Sequence, residues 1–420
     1  MVKEALRRAY SIMQSEPRGP VYLMMQRETL TQHFRADEIR RYAAEEFAAT
    51  SGGGADAALV AALVDKLLTA ENPVLITGYA GRNAHASEAI DALSQFAGIA
   101  VYEANMTNNI SHAAPCFVGF SAEKAVPGAD LGILVDVDVP WFPSDVQPKQ
   151  GSFWAHIDVD TLKPGSPMWT FPGNLRMQGD CGRILQAVLE ELKAKATPQF
   201  KAAAAARRER IGALRHDRVA RAAKLAADTG VPGAINPHYL MAELAKVLDD
   251  DAIIFNEGVT NAGAVLMQIP RKKPNTTMRS GGGGLGWSGA FALGAKLAAP
   301  DRLMVQICGD GAFYFGNPSS VFGVAQQYKL PILSIVLDNT GWNAVKQSTL
   351  RVYPEGEASQ TSEFEAGLAP KVAFTKVAEA FGAYGEEISD PAGVPAAIAR
   401  ALKEVRSGRA ALVHARVTKL

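Results

Sequence analysis

The sequence predicts an α/β protein with two doubly wound parallel-sheet domains, preceded by a helix-strand remnant of a third. Three observations carry this expectation. Short apolar runs alternate with helix-like segments, the pattern of parallel strands joined by crossover helices. The alternation falls into two blocks, about 58–196 and 235–420, separated by the Ala/Arg-rich stretch Lys201–Gly230, which has no strand character. A chain of 420 residues with 48% hydrophobic content can bury more than one core.

The elements follow in order. Residues 3–15 carry helical spacing, and after the turn Glu16-Pro17-Arg18-Gly19-Pro20 comes a strand-like run, Val21–Met25, with Met24 and Met25 expected in a core. A lone buried strand leaves backbone groups unpaired unless another sheet accepts it, so residues 1–35 read as the end of a domain. A central domain, 36–200, shows strands at Pro73–Gly78, Ile99–Ala104, Leu131–Val139 and Phe153–Val159, with helices at Ala84–Phe96 and Gly182–Leu192. Residues 201–232 read as an exposed helical linker, and 233–420 as the second α/β domain.

Bulk chemistry excludes several classes. Lys+Arg and Asp+Glu total 43 each, so no net basic field recruits nucleic acid or anionic membrane. Cys116, Cys181 and Cys308 form no CxxC pair, against a disulfide scaffold or cysteine zinc site. No apolar run approaches the ~20 residues of a membrane helix, and Met1-Val2-Lys3-Glu4 lacks a signal-peptide core. The expectation is a soluble cytoplasmic protein.

The second domain carries the chemistry. A strand at Leu303–Cys308 runs into Gly309-Asp310-Gly311-Ala312-Phe313; a helix is expected from Asn317-Pro318 to Lys329, then a strand, Pro331–Leu337, ending in Asp338-Asn339-Thr340-Gly341-Trp342. In one βαβ unit both strand ends emerge on the same edge, where open α/β sheets bind ligands. Glycines there let backbone amides approach phosphate closely. A carboxylate (Asp310), an amide oxygen (Asn339) and a backbone carbonyl (Gly341) suit Mg²⁺, which shares its shell with phosphate.

Gly-Asp-Gly followed after 26 residues by Asp338-Asn339 resembles the signature of thiamine-diphosphate (ThDP) enzymes of the acetolactate synthase, benzoylformate decarboxylase and pyruvate decarboxylase superfamily. That family usually has Asn-Asn where this chain has Asp338-Asn339. Glu257-Gly258-Val259-Thr260-Asn261 resembles the family loop that contacts the diphosphate. Thr260 and Asn261 would donate from side chains there, and Gly258 and Val259 from backbone. Ser280-Gly281-Gly282-Gly283-Gly284-Leu285-Gly286-Trp287 resembles the segment in which Leu285 would prop the bent cofactor and the Gly283 carbonyl would meet its amino group. Gly309, Gly311, Ala312, Phe313 and Thr340 complete the expected cofactor contacts, with Trp342 and Asn343 as substrate candidates. The resemblance implies a ThDP- and Mg²⁺-dependent lyase or transferase that cleaves or forms a C–C bond next to a carbonyl. Decarboxylation of a 2-oxo acid and acetolactate-synthase-like carboligation are the leading outcomes. A 2-hydroxyacyl-CoA lyase and a non-catalytic ThDP-binding subunit are the alternatives.

In the family a glutamate of the pyrimidine-binding domain activates the cofactor. Glu4, Glu16 and Glu28 lie too late in that domain to match it, and Gly19-Pro20-Val21 resembles its end. No catalytic residue is therefore identified in the chain. The expectation is the large subunit of a split enzyme, its glutamate supplied by a small polypeptide of roughly 150 residues, with at least two copies of each. Thr77-Gly78-Tyr79-Ala80-Gly81-Arg82 is a turn where a nucleotide phosphate of FAD, ADP or CoA is conceivable, though an empty central domain is the main expectation. That turn is not GxGxxG, which argues against a nicotinamide dehydrogenase. His85 and His112 read as surface or packed residues before ligand contacts, and Pro140-Trp141-Phe142-Pro143 as packing or interface.

Overall fold

A computed structural model describes residues 2–39, 48–104, 107–166, 168–280, 282–368 and 372–419. The first block is a six-stranded sheet ordered β3-β2-β1-β4-β5-β6. Its strands are β1 Pro73–Thr77, β2 Ala100–Glu103, β3 Phe117–Gly119, β4 Leu131–Val135, β5 Phe153–Asp158 and β6 Leu175–Gln178. Every pairing is parallel. β1 and β4 are buried along their whole length, as expected for strands covered by helices on both faces. A short antiparallel pair follows, β7 Gly230–Val231 with β8 Ala234–Ile235.

The second sheet contains β9 Ile253–Glu257, β10 Thr277–Met278, β11 Met304–Gly309, β12 Leu333–Asp338, β13 Tyr384–Ile388 and β14 Ala411–Arg416. It is also parallel throughout, in the order β10-β9-β11-β12-β14-β13. Two doubly wound parallel sheets are thus present. The strands missed from sequence, β3, β6, β10 and β13, are the outer pair of each sheet. They are short or half-buried, so their side chains carry little apolar pattern.

The linker departs from expectation. It is one helix, Pro198–Ala227, and its first half is packed rather than exposed, burying Phe200, Ala204, Arg207 and Ile211. Arg207 Nε and Nη2 donate to the Ala97 carbonyl at 3.0 and 2.6 Å, and Nη1 donates to Ala70 at 2.7 Å. Those carbonyls end the helices Ala84–Ala97 and Ala57–Thr69. One guanidinium therefore satisfies terminal acceptors of two helices and sits at the negative ends of both dipoles. Arg207→Ala is expected to destabilise the central domain by about 3 kcal/mol, since buried carbonyls lose a charged donor. Urea unfolding followed by circular dichroism checks it.

The domains meet through side chains after β2. Asn108 Oδ1 accepts from the Thr276 and Thr277 amides at 2.8 and 2.7 Å, while Nδ2 donates to the Lys273 carbonyl at 2.6 Å. His112 is packed in this junction: Nδ1 accepts from the Arg271 amide at 3.0 Å and Nε2 lies 3.0 Å from Glu103. His85 is on the surface, 3.9 Å from Glu88.

At the N-terminus, helix Val2–Gln14 has no buried residue. Val21–Met25 is no strand, and Met24, expected in a core, is 72% exposed, as Tyr22 is at 90%. Among the described residues no helix is long and apolar enough to cross a membrane.

Candidate active site

The sheet order delivers the motif residues to one edge. β11 and β12 are neighbours in parallel register, with Gly309 opposite Leu337. Asp310 and Asn339 therefore leave adjacent strand ends together. Asp310 begins a short helix, Asp310–Phe315, directly after the strand, ahead of the helix expected from Asn317. Helix Pro318–Tyr328 then makes the crossover.

Asp310 is buried. Its Oδ1 accepts from the Gly311 amide at 3.0 Å and its Oδ2 from the Gly341 amide at 2.9 Å, tying the two loops together. Burial pushes its carboxyl up to about 7, with the neighbouring Asp338 carboxylate adding to the rise. Burial acts on Asp338 in the same sense, but hydrogen bonds from His414 and the Thr340 amide and the charge of Arg416 outweigh it, so Asp338 is held below its ordinary range.

Two buried amide oxygens, Asn339 Oδ1 and Asn261 Oδ1, have no hydrogen-bond partner among the described residues. An unpaired buried acceptor costs about 1–3 kcal/mol, so each marks a place that suits a cation or an external donor. Among the described residues no group of three or more His, Cys, Asp and Glu side chains forms a metal cage. The donor set is one carboxylate and one amide oxygen, with the Gly341 carbonyl as a backbone candidate. That set fits Mg²⁺, which takes few protein ligands and fills its shell from phosphate and water.

The opposite wall comes from β9. Asn256 Oδ1 accepts from the Gly258 amide at 3.2 Å and its Nδ2 donates to the Ala262 carbonyl at 3.2 Å, shaping the turn Val259–Asn261. Val259 lies at φ 49° and Thr340 at φ 61°. Branched side chains are strained there, and such strain concentrates where surroundings dictate backbone direction.

Glu257, to which sequence reasoning gave no role, holds the third loop. Its buried carboxylate accepts from the amides of Gly286, Trp287 and Ser288 at 2.5, 3.3 and 3.1 Å, and from the Ser288 hydroxyl at 2.5 Å. Ser288 begins helix Ser288–Ala298, so Glu257 caps that helix and anchors the loop bearing Leu285. Gln306 and Ser334 extend the chain of bonds beneath it, at 3.0 and 2.8 Å. The contact spans about thirty residues of sequence, which is why no local pattern shows it. Gly286 sits at φ 86°, and a Cβ there would lie 2.4 Å from the Phe315 carbonyl carbon. The loop crosses the Asp310–Phe315 helix too closely for any side chain.

These walls enclose a cavity of about 90 Å³ bounded by Thr260, Asn261, Leu285, Asp310, Asn339 and Trp342, with Gly258, Val259, Gly309, Gly311, Ala312, Gly341 and Asn343 also lining it. The Trp342 ring lies across Gly311, where a Cβ would come within 2.3 Å of it, and meets Phe315 edge-on at 5.5 Å. Three expected contacts are not brought to the cavity. The Phe313 side chain packs in the core against Phe374, 5.0 Å between centroids. Gly283 is exposed, and Thr340 is half-buried without lining the space. Gly281 lies outside the described residues.

In the central domain, Arg82 is engaged elsewhere: Nε and Nη2 bind Asp136 at 3.0 and 2.8 Å. The arginine considered for a nucleotide phosphate thus already has a carboxylate partner.

A carboxylate–amide pair, close glycine loops and unpaired buried acceptors meet at the strand ends of this doubly wound domain. Residues 258–415 match the family described as thiamine pyrophosphate enzyme, C-terminal TPP binding domain. The chain is 27% identical over 360 residues to a benzoylformate decarboxylase of Pseudomonas aeruginosa, covering 82% of this chain and 62% of that protein. It is 28% identical over 263 residues to an acetolactate synthase isozyme 3 large subunit of Escherichia coli, covering 62% of this chain and 43% of that one. Relatives also include 2-hydroxyacyl-CoA lyases. The fold superposes on a benzoylformate decarboxylase from Polynucleobacter necessarius with a TM-score of 0.75 at 18% identity, over all of this chain and 74% of that one. The matched part spans less than two thirds of the length of these curated relatives.

Proposed function

We propose that this chain supplies the diphosphate- and metal-binding half of a ThDP- and Mg²⁺-dependent enzyme acting on a 2-oxo acid or related carbonyl compound. Decarboxylation and acetolactate-synthase-like carboligation are its two outcomes. The observation that carries the reading is the buried pair Asp310 and Asn339, the latter with an oxygen that nothing among the described residues satisfies. When bound, ThDP supplies a thiazolium carbon that adds to a carbonyl and accepts the electrons of the adjacent C–C bond. The chain's own tasks are those of positioning. Asp310, Asn339 and the Gly341 carbonyl hold Mg²⁺. Gly258, Val259, Gly309, Gly311 and Ala312 offer backbone to the diphosphate, and Thr260 and Asn261 offer side chains. Leu285, on the loop fixed by Glu257, would support the cofactor. Trp342 and Asn343 stand at the cavity wall as substrate contacts.

We assign the activating glutamate to a pyrimidine-binding unit outside these 420 residues, a separate small polypeptide, and place this chain as the large subunit of a hetero-oligomer containing at least two copies of each. The exposed apolar face of helix Val2–Gln14, with Leu6, Tyr10 and Met13, and the exposed Tyr22 and Met24 support a covering partner. Exposed Phe291 and Phe315, near the third loop, support a second copy. The chain alone is expected to turn over 2-oxo acids negligibly, and a glutamate-bearing pyrimidine-domain polypeptide to restore activity. Robust turnover by the chain alone would overturn the split-subunit assignment.

A further inference from the structure

The metal turn is braced from the last strand. Asp338 Oδ2 accepts from His414 Nε2 at 2.7 Å and also from Arg416 Nη1, while Oδ1 accepts from the Thr340 amide at 2.8 Å. β14 runs beside β12 with Arg416 opposite Asp338, so both donors reach the turn from the strand next door. His414 is fully buried, and its ring lies 4.8 Å from that of Phe374. Phe374 in turn meets Phe313 on the Asp310 helix. Arg416 is steadied by Glu387 Oε1 at 3.0 Å.

We propose that His414 and Arg416 are positioning residues for the divalent metal. They fix Asp338, whose other oxygen fixes Thr340 in its left-handed conformation, and that turn presents Asn339 Oδ1. Through Phe374 and Phe313 the same histidine backs the helix that begins at Asp310, so one brace sets both side-chain ligands. This rests on the metal reading of Asp310 and Asn339. Three features argue for a brace beyond ordinary packing. Asp338 spends both oxygens on this assembly. Thr340 holds a conformation that a branched residue adopts only under outside constraint. The Asn339 amide oxygen that results is buried and left unpaired among the described residues.

The test is calorimetric titration of Mg²⁺ into the full chain with inorganic pyrophosphate present, a probe that needs only the half-site carried here. Wild type, Asp310→Ala, His414→Leu, His414→Gln and Arg416→Met are compared, each checked for folding by circular dichroism. Partners of metal ligands typically contribute a factor of roughly 10–100 in affinity, so His414→Leu is expected to weaken Mg²⁺ binding by that factor. His414→Gln, whose amide can donate from the Nε2 position, is expected to stay near wild type, which a merely space-filling histidine would not require. If His414→Leu fails to fold, Arg416→Met, at a partly exposed site, reads the same loss. Unchanged Mg²⁺ affinity in folded His414→Leu or Arg416→Met, or equal loss in the Gln and Leu variants, overturns the brace while leaving the metal site standing. Absence of Mg²⁺ binding in wild type overturns the metal reading itself.

Discussion

Asp310→Ala is expected to abolish Mg²⁺-dependent ThDP binding while leaving the fold intact. Asp310 is the only charged side chain in the proposed ligand set, and outer-sphere partners alone commonly account for roughly 10–100-fold in metal affinity. Losing the inner carboxylate should therefore cost on the order of 100-fold or more. Stability should move the other way or not at all. Burial and the adjacent Asp338 push the Asp310 carboxyl up to about 7, so near neutral pH its charge opposes folding. Removing it relieves that repulsion and sacrifices two backbone hydrogen bonds, from Gly311 and Gly341. A site kept at some cost to stability is common where function demands it. Calorimetric titration of ThDP with and without Mg²⁺, beside a thermal melt, reads both effects; unchanged affinity would remove the metal assignment.

Glu257→Ala should rank next in effect. Four donors converge on that carboxylate, three of them amides at the start of one helix. Hydrogen bonds to a charged group contribute about 1.5–3 kcal/mol each, less what water recovers. The expected net loss is about 3 kcal/mol, confined largely to the loop at residues 282–287 and the helix after it. The loop should then become sensitive to limited proteolysis, and Leu285 should lose its fixed place beside the cavity. Weaker ThDP affinity with nearly normal Mg²⁺–pyrophosphate affinity is the expected signature, because the metal turn lies on other strands. Equal loss of both would show that Glu257 supports the whole sheet edge instead.

Much of this was legible in the sequence because it is local or periodic. The buried strands β1, β4, β11 and β12 announce themselves as apolar runs, and the βαβ spacing places Asp310 and Asn339 on one edge without knowledge of the rest. The outer strands were not legible, since β10 has two residues and β3 three. The linker was misread for a related reason. Arg207 in an Ala/Arg-rich helix looks like a solvated charge, and only the positions of two distant helix ends make it a buried cap. Phe313 is expected at the cofactor from its neighbours in sequence, yet its ring packs against Phe374 in the core. Glu257, His414 and Arg416 act across the sheet, through strand order that no single segment encodes.

A crystal structure of the chain grown with Mg²⁺ and ThDP tests the central claim most directly. The expected result is a metal bridging Asp310 and Asn339, with the diphosphate against Gly258–Asn261 and the Gly309–Ala312 turn. Diphosphate and metal bound elsewhere, or an empty site between Asp310 and Asn339 at saturating concentrations of both, would contradict it.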